Sequence, residues 1–259
     1  MRSPTDEIAA PTFPRDLPWV NVAPLRMDKQ RGRPVLVEFW DFCRVNSLRT
    51  LPYVKAWHAR YAEHGLRVIG VHTGGFACSR DEPAVRAAVG RLGIEHPVVI
   101  DSDLAVWDAY GNEGWPARYL WDQRGALFSY HYGEGGYDET EADVQELLGT
   151  ALEPMAPLRP EDAPGALLVA PTPDQPGAYS GPYAAAGVWA VLEGSGEVRV
   201  NGRAVRVDGC GCHPLVEHSA HTEAELELEV GDGVLCHATC FTPGLPEPAP
   251  RAPAPPAAA

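Results

Sequence analysis

No stretch of the 259 residues approaches the ~20 consecutive apolar residues of a membrane-spanning helix; the longest, Ala184 to Leu192, is less than half that. Basic residues are scarce. There are 21 Lys and Arg against 35 Asp and Glu, a formal charge of −14, which excludes a general nucleic-acid binder with its basic surface. The opening residues MRSPTDEIAAPTFPRD place no apolar segment behind the basic start, so they do not read as a secretory leader. The expectation is a cytoplasmic protein with neither membrane nor nucleic-acid partner. Apolar residues make up 45% of the chain, enough to fill a core, and 26 Gly and 26 Pro predict many turns and an extended linker.

Composition divides the chain into five parts: a Pro-rich lead-in (1–33), an α/β domain (34–150), a Pro-rich linker (151–184), an all-strand domain (185–245) and a tail (246–259) whose composition predicts disorder. In the α/β domain, short apolar runs at 35–39 and 67–71 read as buried strands and 47–64 as a helix. A second helix at 82–92 has Asp81 as N-cap and Pro83 in its first turn. A short strand at 97–100 and a brief helix at 104–110 follow. Strands at 117–121 and 127–131 are joined by Asp122-Gln123-Arg124-Gly125, and a helix at 139–148 closes the domain. The later domain offers strands at 188–192, 197–200, 204–207, 226–230 and 234–240, with turns at Gly194-Ser195-Gly196 and Asn201-Gly202. The acidic Gly-rich run Tyr132 to Glu139 has no Lys and would repel phosphate, so it reads as a solvated turn.

The order of elements, with Phe39-Trp40, LRTLPYVKAW, RVIGVHT, YGNEGWPARYLWDQRG and YGEGGYDETE over residues 12 to 148, resembles the thioredoxin superfamily. It is most similar to the TlpA-like and DipZ-like branch and to the thioredoxin-like domain of NHL-repeat proteins. The resemblance implies a thioredoxin-like three-layer sandwich with a mixed central sheet, followed here by a small antiparallel β-sandwich. It also implies thiol–disulfide exchange with a disulfide-containing protein or a small thiol, and a cis peptide at Trp115-Pro116 that docks substrate beside the redox motif. On this pattern Arg44 and Ser47 stand where the two cysteines of a Cys-x-x-Cys motif belong.

A thiolate at a helix start is stabilised by unpaired backbone N–H groups, and a second cysteine one turn on resolves the mixed disulfide. Arg44 and Ser47 can do neither, and Arg44 costs roughly 0.3–1 kcal/mol beside the positive helix end unless an anion such as Asp41 pairs with it. Cys43, one residue early, is the candidate nucleophile, either activated by the helix end and Arg44 or packed as an inert core residue. Cys78, in the loop after the second strand, is the candidate resolving partner of Cys43. A peroxidase would need a low-pKa cysteine backed by Thr and Arg.

The other four cysteines, Cys210, Cys212, Cys236 and Cys240, form two clusters among His213, His218, His221 and His237. Same-face spacing along strands makes them candidate zinc ligands, or else small apolar side chains of a sandwich. The later domain also resembles the sandwich attached in DipZ-like proteins, which looks like a carbohydrate-binding module, with Tyr179, Tyr183 and Trp189 as candidate sugar-stacking rings. Two function classes stand: a diverged thiol–disulfide oxidoreductase, or a non-catalytic binding module that takes a peptide, sugar, metal or protein.

Overall fold

In a computed structural model that describes residues 1–5 and 7–247, the first half is a thioredoxin-like α/β fold. Its elements are β1 (Trp19–Val20), β2 (Val35–Trp40), α1 (Val45–Tyr61), β3 (Arg67–His72), α2 (Glu82–Arg91), β4 (Val98–Ile100), α3 (Ala105–Tyr110), β5 (Ala117–Trp121), β6 (Leu127–Tyr132) and α4 (Tyr137–Leu148). The mixed sheet runs β1-β4-β3-β2-β5-β6. Strands β2, β3 and β4 are parallel; β1, β5 and β6 pair antiparallel to their neighbours.

The six residues of β2 are all buried because both sheet faces are covered. Val35, Val37 and Phe39 point to a core that takes in α3 and the lead-in, whereas Leu36 packs with Tyr53, Val54 and Trp57 of α1 and Val144 of α4. Glu38 lies on that second face, buried in an otherwise apolar row. The lead-in is part of the sheet: Trp19 pairs with Val99, and residues 2 and 9 bridge to 129 and 126. Asp81 caps α2 by accepting the Ala84 N–H at 3.0 Å, the geometry its residue type calls for.

The second half is antiparallel: β7 (Gln175–Pro176), β8 (Gly181–Val200), β9 (Arg203–Asp208), β10 (Gly211–Leu226), β11 (Leu228–Val230) and β12 (Val234–Thr242). Strand β8 carries two successive ladders of this half. Its first part pairs with β10 and β12, and its end pairs with β9 and β11. Gly194-Ser195-Gly196 is therefore not a turn, as the spacing suggested, but the crossing point between the two ladders. A Cβ on Gly194, where φ is +113°, would fall 2.1 Å from the Gly233 carbonyl oxygen, so only glycine lets the backbones approach. Asn201-Gly202, with φ +49° and +78°, is the predicted hairpin turn between Val200 and its partner Arg203. Strand β10 escaped the sequence reading because Pro214 and the polar run EHSAHTEAE hide its alternation.

The Pro-rich segment between the halves is irregular but docked. Tyr53 donates to Asp162 at 2.8 Å and accepts the Leu158 N–H at 2.7 Å, and Arg49 bridges Glu134 and Glu161. The tail expected to be disordered (246–259) lies, from residue 248 on, outside the described residues.

Candidate functional site

Between β2 and α1, Asp41 organises the turn. Its carboxylate accepts the Cys43 and Gly75 N–H groups, each at 2.8 Å, and the Ser79 hydroxyl at 3.3 Å. The Asp41 N–H donates to Ser47 Oγ at 3.2 Å, so the buried serine hydroxyl braces the start of α1. Burial pushes the Asp41 carboxyl up against these bonds. His72, at the end of β3, accepts the Phe42 N–H at 3.4 Å and is held neutral by burial, its pKa pushed down to about 3.

Arg44 occupies the N-cap of α1 with no side-chain capping bond. Its guanidinium lies 4.8 Å from the Phe76 ring centroid and 4.9 Å from that of Trp115. Cation–π contact, rather than a salt bridge to Asp41, accommodates a cation at the positive helix end. Trp115 donates its indole N–H to the Thr73 carbonyl at 2.8 Å, and the Trp115–Pro116 bond is cis. Arg44 and Trp115 thus meet at the loop cluster, with Pro116 following Trp115 across the cis bond.

Cys43 is fully buried. Burial first, and then Asp41, push its thiol well above the ordinary range, against the pull of Arg44. Cys43 and Cys78 approach each other as expected, their sulfurs within 4.8 Å, but Cys78 takes a third cysteine as its bonded partner. Cys78, in the 3-10 turn Cys78–Arg80, is disulfide-bonded to Cys210 with the Cα atoms 6.1 Å apart. That bond ties the α/β domain to the sandwich. Cys43 Sγ lies 3.3 Å from Cys210 Sγ, and all three sulfurs lie within 4.8 Å of one another.

The proposed zinc quartet Cys210, Cys212, Cys236 and Cys240 does not assemble. Cys210 is engaged by Cys78, and a β-bulge between Cys236 and Ala238 shifts the register of β12. An inserted residue reverses the face of everything after it. Cys236 therefore faces the sandwich core, while Cys240 and Cys212 pack at the domain junction with Cys43 and Phe42. Burial raises the thiol pKa of Cys212 and pushes that of Cys240 up to about 12. Of the rings proposed to stack on sugar, Tyr183 lies in the sandwich core with Tyr179 packed against it, and Trp189 packs at the junction.

Sequence reasoning passed over Glu38 with Arg118, His72, and the Glu193 that partners the already noted His237. Glu38 faces Arg118 across the β2–β5 ladder; burial pushes Glu38 up to about 8 and Arg118 down to about 10. A lone acid inside the run Val35 to Phe39 was its signal. His72 gave none, being one residue of an apolar strand. Glu193 and His237, 2.8 Å apart, are brought together only by the β8–β12 pairing.

The fold and this loop cluster define a thioredoxin-like class of protein, and comparison with known proteins agrees. The structure matches a thioredoxin-like protein solved in its oxidized form, with a TM-score of 0.51 and 26% identity, covering 56% of this chain and 97% of that one. A Chlorobium tepidum protein described as a putative thiol:disulfide interchange protein DsbE matches at a TM-score of 0.51 and 21% identity, over 57% of this chain and all of that one, which speaks for the fold alone. Residues 8–148 match the Redoxin family model. The chain belongs to the Redoxin family. Among curated relatives, Protein DipZ of Mycobacterium bovis is 38% identical over 136 residues, 51% of this chain but only 20% of DipZ. The thiol-disulfide oxidoreductase YkuV of Bacillus subtilis is 28% identical over 130 residues, covering 50% of this chain and 87% of YkuV. Among the described residues no helix is long and apolar enough to cross a membrane.

Proposed function

We propose that this chain is a thiol–disulfide redox protein whose reactive sulfurs have moved from the start of α1 to the junction with the sandwich. On the family pattern Arg44 and Ser47 take the two motif positions and leave α1 without its sulfurs. The observation that carries the reading is the 3.3 Å approach of Cys43 Sγ to Cys210 Sγ, whose own partner is Cys78. In the reduced protein, Cys78, which is only partly buried, attacks a disulfide of a protein or small thiol. One substrate sulfur leaves as a thiol and a mixed disulfide remains. Cys210 then displaces the second substrate thiol, forming Cys78–Cys210 and leaving the substrate reduced by two electrons. Cys43 acts inside the site. Once deprotonated, its sulfur bonds to Cys210, the Cys78–Cys210 bond breaks, and Cys78 leaves as a thiolate that takes up a proton. Buried Cys43 thus passes the bond rather than meeting substrate. Trp115 and Pro116 form the candidate docking edge beside it.

The second reading is a binding module without redox turnover. It is favoured by the raised Cys43 thiol and by the Arg44 guanidinium lodged between Phe76 and Trp115. A lasting Cys78–Cys210 bond suits an oxidising compartment, whereas in the cytoplasm the trio would be held reduced. Disulfide reduction by wild type and by C78S, C210S and C43S separates the two readings. Exchange predicts loss of activity in C210S, which leaves no bonded pair, and slower rates in C78S and C43S; background rates in every variant, wild type included, leave the binding module.

A further inference from the structure

We infer that the reduced protein holds a thiophilic d10 cation, zinc being the probe of choice, on Cys43, Cys78 and Cys210 at the domain junction. The three sulfurs come from three separate segments: the turn before α1, the 3-10 turn after β3, and the β9–β10 connection. They lie within 4.8 Å of one another. Once the Cys78–Cys210 bond is reduced, small side-chain rotations bring three sulfurs to the ~2.3 Å Zn–S distance of a zinc thiolate site.

A further pair adjoins the trio at Cys78. His237 of β12 and Glu193 of β8 each place a ligand atom within 4.8 Å of the Cys78 sulfur, and the His237 Nε2 to Glu193 contact is 2.8 Å. A carboxylate bonded to one imidazole nitrogen orients the ring of a metal-bound histidine. His237 lies near Cys78 but not within 4.8 Å of all three sulfurs, so its ring must swing toward the trio to complete the set, in place of the quartet suggested by spacing. Arg44 and Arg91 place positive charge near Cys43 and offset the net negative charge that three thiolates leave on a divalent ion.

Oxidation state governs occupancy. A dithiol reductant gives two electrons to the Cys78–Cys210 bond, is itself oxidised to a disulfide, and leaves three thiols in the site. Zinc then binds with release of three protons. A small-molecule disulfide then accepts two electrons, leaving as two thiols; the Cys78–Cys210 bond closes, Cys43 takes up a proton and the metal is expelled.

The inference shares its sulfurs with the exchange reading, but equilibrium metal binding by fully reduced protein needs no exchange rate, so either can fail alone. The experiment titrates Zn²⁺ into anaerobic, reduced full-length chain against a chromophoric chelator, with oxidised chain alongside. The expected result is one equivalent bound by reduced protein and none by oxidised. The affinity falls at least tenfold in each of C43S, C78S and C210S, less in H237A, and is unchanged in C236A. X-ray absorption of the zinc-loaded wild type, which depends on no variant, should show three sulfur neighbours. Absence of binding by the reduced chain, four sulfurs, or loss of binding in C212S or C240S but not in C43S would overturn it.

Discussion

Substituting Cys78 alone, and then Cys78 together with Cys43, separates a plain structural disulfide from three sulfurs that share one position. The native bond joins residues 132 apart, and closing a loop of that length removes unfolded-state entropy worth about 5 kcal/mol. In C78S, the remaining close pair is Cys43 and Cys210, separated by 167 residues. A bond between them closes a loop whose entropic effect differs from the native one by only about 0.2 kcal/mol. Oxidised C78S should therefore keep its stability within about 1 kcal/mol of wild type, and reductant should abolish that retention. In C43S/C78S neither partner for Cys210 remains in the trio, so up to about 5 kcal/mol is lost relative to oxidised wild type and reductant removes nothing more. The assay is denaturant unfolding, oxidised and reduced, followed by intrinsic Trp fluorescence. Equal destabilisation of the single and double variants would refute the reasoning, because Cys43 would then never replace Cys78.

Three other outcomes follow from the packing. Glu38 is pushed up to about 8 by burial, from an ordinary 4.5; its folded pKa lies above its unfolded one, so its contribution is full in acid and is lost as pH rises through about 8. The wild type should lose stability across that window, with a slope of at most about 1.4 kcal/mol per pH unit, and E38Q should flatten it; an unchanged slope in E38Q denies the assignment. Removing the Arg44 guanidinium from Phe76 and Trp115 forfeits two contacts of about 0.5–1 kcal/mol each, so R44A should lower stability by about 1–2 kcal/mol in denaturant unfolding; an unchanged midpoint denies the contacts. Replacing Gly194 with Ala sets a Cβ against the Gly233 carbonyl and should cost about 2–4 kcal/mol in thermal unfolding, whereas a true turn at 194–196 would tolerate it.

Much of the first domain was legible because its signals are local. The VLVEF run, the Asp81 cap with Pro83 and the Asp122–Gly125 turn each act over a few residues, and the structure keeps all three. Arg44 and Ser47 at the start of α1 were readable for the same reason. The trio was not, since Cys210 reaches Cys43 and Cys78 only through the docking of two domains, a contact between residues 132 and 167 positions apart. The misread zinc quartet has a sharper cause. Even spacing along β12 implied one face, and a single inserted residue between Cys236 and Ala238 sends the two cysteines to opposite sides. Strand β8 was cut in two because a glycine pair that permits a backbone crossing carries the same composition as one that makes a turn.

The most direct measurement is disulfide mapping by mass spectrometry on C78S, oxidised under native conditions and trapped by rapid alkylation. The account predicts a Cys43–Cys210 linked peptide as the dominant product. Recovery of both Cys43 and Cys210 as alkylated free thiols would show that the close approach of these sulfurs supports no bond, and the displaced redox centre would go with it.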